Sequence, residues 1–118
     1  LDPSAVPAEL DRIVAESADC GQVIAAGFIA VAANRGNVAL PGDFPRFLAE
    51  LVKGPAPVVL LSLGNPYLLR SFPDVAAYLT TYSTVEASET AAVRALFGEI
   101  PIRGKLPVSI PPMAKVGD

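Results

Sequence analysis

The order of local signals along the chain predicts an α/β fold, a three-layer α/β/α sandwich around a mostly parallel sheet. Three observations carry that expectation. Helical and strand patterns alternate along the 118 residues. The best strand candidates are continuous apolar runs, as parallel strands covered on both faces require. Apolar residues make up 52% of the chain and charged residues 18%, a balance that supports a core and disfavours disorder. The length fits one domain, 1–118.

The elements follow in order. Pro7 suits the first position of a helix, where its missing N–H costs little. Glu9 and Asp11 suit the positive end of the helix dipole, and Leu10, Ile13, Val14 and Ala18 share one face. Residues 22–31 show no clean alternation and read as a strand buried on both sides. Asn34, Arg35, Gly36 and Asn37 break the pattern as a loop. Asp43 is a natural N-cap for a second helix, whose buried stripe is Phe44, Phe47, Leu48, Leu51 and Val52, and Gly54 stops it. Residues 57–63 form the clearest strand, with Ser62 the one interior polar residue.

Gly64, Asn65, Pro66 and Tyr67 make a tight exit from that strand, and a short helical turn covers 66–71. A further strand spans 75–82. Its crossover is near the lower limit of about a dozen residues for a parallel connection. Ser83 and Glu86 have capping-box spacing for a third helix. Its inner face is Val85, Ala92, Val93, Leu96 and Phe97, and Gly98 ends it. Residues 106–110, fenced by Pro107 and Pro111, fit an edge or terminal strand. About four strands result, which is thin for such a sheet. Leu1 is not an initiator methionine and no secretory signal precedes the first helix, so the chain reads as a truncated piece of something longer.

Several chemistries are excluded early. The chain has no histidine and one cysteine, so it cannot by itself build a Ser-His-Asp or Cys-His device or a typical zinc site. Cys20 reads as a small buried packing residue. The net charge is −3 with no basic cluster, which argues against nucleic acid. The longest apolar stretch, 23–33, is well short of a membrane span. There is no Gly-rich phosphate loop of Walker or Rossmann spacing. No cofactor, no metal, no nucleic acid and no membrane partner is therefore expected.

Ligands in open α/β sheets gather outside the carboxyl ends of the strands. Three loops fit: Asn34-Arg35-Gly36, Gly64-Asn65-Pro66-Tyr67 and Thr81-Tyr82-Ser83. Arg35 and Arg70 offer forked donors to a carboxylate, phosphate or sugar hydroxyl. Asn65 suits a hydroxyl pair, and Tyr67 and Tyr82 suit a sugar face. Most of these also have a plainer role: Gly64 and Asn65 as turn residues before a proline, Tyr67 and Tyr82 as packing at a core margin, Arg35 as a solvated or interface residue. Glu86 and Glu89 fall in the first turns of a helix, where acids complement the dipole. Glu99 can pair with Arg103 or Lys105, and Ser62 and Ser83 lack a partner base. No catalytic residue is assigned.

Several runs occur in a fixed order: Gly64-Asn65-Pro66-Tyr67-Leu68-Leu69, Phe72-Pro73-Asp74, Tyr78-Leu79, Thr81-Tyr82-Ser83, Ala95-Leu96-Phe97-Gly98-Glu99 and Gly104-Lys105-Leu106-Pro107-Val108-Ser109-Ile110-Pro111. Together they resemble the C-terminal domain of glycoside hydrolase family 3, nearest the β-N-acetylglucosaminidase-like branch. The likeness extends over nearly the whole chain. It implies a two-domain bacterial parent, cytoplasmic or secreted. An N-terminal (β/α)8-type barrel there carries the nucleophilic aspartate and works by a retaining mechanism through a glycosyl intermediate. In the N-acetylglucosaminidase-like branch a histidine with an aspartate partner, also on the barrel, is the acid/base. In the β-glucosidase-like branch a glutamate of the C-terminal domain takes that role. No family catalytic residue maps onto a position of this chain.

Three functions follow as expectations. The first is an accessory domain packed on a catalytic barrel, which meets carbohydrate only through the parent and self-associates when isolated, as a homo-oligomer. The second is a self-sufficient small-ligand binding module of flavodoxin-like shape, which would bind sugars or nucleotides tightly by itself. The third is an interaction domain with an apolar surface.

Overall fold

The computed structural model describes residues 1, 2, 4–29 and 40–118. Helix α1 spans Pro7–Ser17, strand β1 Val23–Phe28, helix α2 Phe44–Lys53, strand β2 Val58–Leu63, a 3-10 helix Pro66–Ser71, strand β3 Ala77–Thr81 and helix α3 Glu86–Leu96. Among the described residues the sheet has three strands in the order β1-β2-β3. Both pairings are parallel, with Ala25 opposite Leu60 and Leu60 opposite Tyr78. The short crossover into β3 is thus parallel, and the sandwich expected from the sequence is present.

β2 is central, and all six of its residues are buried. Strand alternation sends its side chains to two separate cores. Val58 and Leu60 join Leu48 and Leu51 of α2 with Leu68 and Phe72 of the 3-10 segment, and Val14 of α1 packs at the margin. Leu61 and Leu63 meet Ala92 of α3, flanked by Leu79 and Leu96. Helices α1 and α2 therefore cover one face and α3 the other. Each fully buried leucine contributes roughly 1.5–3 kcal/mol, so the chain's stability is concentrated around β2. Arg46 ties the two helices of the first layer together at the surface, 3.2 Å from Asp11 and 2.8 Å from Glu50. Those two acids also raise the pKa of its guanidinium, the hydrogen bond it donates to Glu50 most strongly.

Several expectations from the sequence are corrected. β1 is covered on one face only: Val23, Ala25 and Gly27 are half-buried, whereas Ile24 and Phe28 are 50% and 58% exposed. Among the described residues it is an edge strand, and α3 lies over β2 and β3, so no described element covers that side of β1. On α3, Ala92 is buried but Val85, Val93 and Phe97 are exposed, so the inner face is narrower than the apolar positions imply. Ala18 lies exposed beyond the end of α1.

The caps also differ. The N-cap of α3 is Val85, with no side-chain cap. Ser83 instead accepts the Val85 N–H at 3.2 Å, which places Ser83 two residues before the N-cap rather than at it. Asp43 does occupy the N-cap of α2, without a side-chain hydrogen bond. Cys20 is exposed, because it sits in the turn beyond α1, past the last residues that face the sheet. Finally, 106–110 adds no strand. The tail closes on itself through Leu106 N–H to Asp118 and Gly117 N–H to Leu106, both 2.9 Å, and an isolated bridge joins Ile110 to Ala114. Pro107, Pro111 and Pro112 remove the donors a sheet ladder needs, while Ile110 is fully buried.

Candidate functional site

The carboxyl ends of the three strands converge at Gly64. Its N–H donates to the Thr81 carbonyl at 3.1 Å, tying the exit of β2 to that of β3. Its φ of 109° is left-handed backbone, which glycine adopts without steric cost. A side chain there would overlap the carbonyl oxygen of Ile29, at the end of β1, and would lie 3.3 Å from the Thr84 methyl. The turn beyond is held by polar side chains. Ser62, buried at the end of β2, donates to the Asn65 carbonyl at 2.5 Å. The Asn65 side chain accepts the Tyr67 N–H at 2.8 Å and caps the 3-10 helix. Tyr78 reaches from β3 and donates to the Pro66 carbonyl at 2.8 Å. Burial raises the pKa of that phenol above its ordinary value. Thr81 donates to the Ser83 carbonyl at 2.8 Å. No buried side-chain polar atom among the described residues lacks a partner.

The candidate residues from the sequence are distributed over this rim unevenly. Asn65 is buried, with its amide oxygen engaged in the turn. Tyr67 is half-buried one residue past the proline. Tyr82 lies half exposed just beyond β3, and burial raises its phenol pKa. The Gly64–Thr81 bond places the Tyr82 loop beside the Asn65–Tyr67 turn. Arg70 is exposed in the last turn of the 3-10 helix, with no carboxylate within 4.0 Å among the described residues. Arg35 and the Asn34–Gly36 loop lie outside the described residues. Sequence reasoning missed the anchoring roles of Ser62 and Tyr78. The signal for Ser62 was available: a lone hydroxyl inside an apolar strand must find an acceptor once buried.

The concave surfaces lie elsewhere. A groove of about 540 Å³ runs along β1, walled by Ile13, Ser17, Phe44 and Phe47. A shallow depression of about 460 Å³ lies against α3 at Glu86, Thr90, Arg94 and Ile100. Neither is lined by Asn65, Tyr67, Arg70 or Tyr82. Glu86 and Glu89 occupy the first turn of α3. Glu99 pairs with Arg94 at 3.1 Å rather than with Arg103 or Lys105, because α3 ends one turn earlier and brings Arg94 alongside, while Lys105 donates to the Gly117 carbonyl. Among the described residues no group of three or more His, Cys, Asp or Glu side chains could hold a metal ion, and no helix is long and apolar enough to cross a membrane.

The chain matches the family model of the glycosyl hydrolase family 3 C-terminal domain over residues 9–117. It belongs to that family. No curated protein matches it significantly, and no solved structure does so either. The match takes in the self-closed tail as well as the sheet, so the tail is part of the family 3 domain. Domains of this family normally sit with an N-terminal catalytic domain in the same chain.

Proposed function

We propose that this family 3 domain, 1–118, is the accessory domain of a retaining glycoside hydrolase that acts on β-linked N-acetylhexosaminides. It is non-catalytic alone and packs on the parent's catalytic barrel. The observation that carries the reading is the family match over 9–117. The chemistry agrees with it: there is no histidine for an acid/base role, and the acids nearest the strand ends sit where the helix dipole accounts for them. The purified chain is expected to release no nitrophenol from nitrophenyl N-acetylglucosaminide above the blank. Turnover that copurifies with the folded chain overturns the proposal.

The rim residues Asn65, Tyr67, Arg70 and Tyr82 form the wall that this domain offers to the parent's sugar site, and Arg35, which lies outside the described residues, is assigned to the same role from the sequence alone. A typical hydrogen bond contributes about 0.5–1.5 kcal/mol, so Arg70→Ala and Tyr82→Ala in the parent enzyme are each expected to raise KM about two- to tenfold with kcat little changed. Unaltered kinetics in both variants would remove the rim from the substrate path.

The same reading accounts for the open side of β1, which is a surface to be covered by other polypeptide. In isolation the chain is expected to self-associate along it, since Ile24 and Phe28 are exposed beside a strand edge that is unpaired among the described residues and no charged residue lies on β1. Sedimentation should show mass rising with concentration, and Phe28→Lys should return the chain to monomer. A monomer across the whole range would refute this association.

A further inference from the structure

We draw no further inference here: the strongest candidate, the apolar groove along the open edge of β1 between α1 and α2, carries nothing because nothing in the structure shows which polypeptide covers it.

Discussion

Gly64→Ala is expected to cost about 3 kcal/mol or more, a large share of the roughly 5–15 kcal/mol that holds a typical domain together. Two penalties act together. The backbone at Gly64 has a φ of 109°, which side-chain-bearing residues rarely adopt. The added methyl would also overlap the Ile29 carbonyl oxygen and press on the Ile29 carbonyl carbon at 3.2 Å. Neither neighbour can easily give way. Ile29 is pinned because its N–H donates to the Leu63 carbonyl at 2.8 Å, and Gly64 is pinned to Thr81. Gly98 supplies the control. It is also left-handed, at φ 72°, but a methyl there meets open space. Gly98→Ala should therefore cost only the conformational term, about 1–2 kcal/mol. Urea denaturation of both variants checks this, with a lower midpoint and an unchanged slope expected for each. Equal losses in the two would mean that the strand ends do not close around Gly64.

The layers of this fold were legible because their signals are local or periodic. The run 57–63, apolar except for Ser62, could only be a covered strand, and β2 is buried at every position. The stripe Phe47, Leu48, Leu51 and Val52 has helical spacing, and α2 presents it to the sheet. What failed were inferences about how far a neighbour covers each element. β1 and β2 are both apolar runs, yet among the described residues one is an edge and the other is central. Composition cannot distinguish them, because the difference lies in what covers the strand. The same holds for α3. Val93 and Phe97 fall at apolar positions, but that helix rests on two strands only and leaves them exposed. The tail shows the converse. Prolines prevented pairing with the sheet, but Ile110 is still fully buried in a tail that closes through local backbone bonds no periodicity announces.

The candidate site divides along the same line. That Gly64, Asn65 and Pro66 form a turn was readable from residue type alone, and the Asn65 amide does accept the Tyr67 N–H. The positions of Tyr67, Arg70 and Tyr82 depend on tertiary register instead. The Leu63–Thr81 pairing and the Gly64–Thr81 bond bring two distant loops together, and no spacing in the chain encodes that contact.

Leu60→Ala is the second large effect, expected to cost about 2–5 kcal/mol. Leu60 is 1% exposed in the middle of the central strand. Its side chain belongs to the cluster that joins α2 and the 3-10 segment to the sheet. The spread in such losses reflects how far a site can collapse around the missing atoms. Here collapse is restricted, since β1 and β3 hold the Leu60 backbone from both sides through Ala25 and Tyr78. The cavity should stay open, and the loss should fall in the upper half of the range. Phe97→Ala removes a larger apolar side chain, but Phe97 is 73% exposed, so that change should stay within about 0.5 kcal/mol. Thermal and urea unfolding of the two variants separate burial from mere hydrophobicity. If Phe97→Ala proved as damaging as Leu60→Ala, α3 would have to bury the wider face that its apolar positions suggest, and the two-core arrangement around β2 would be wrong.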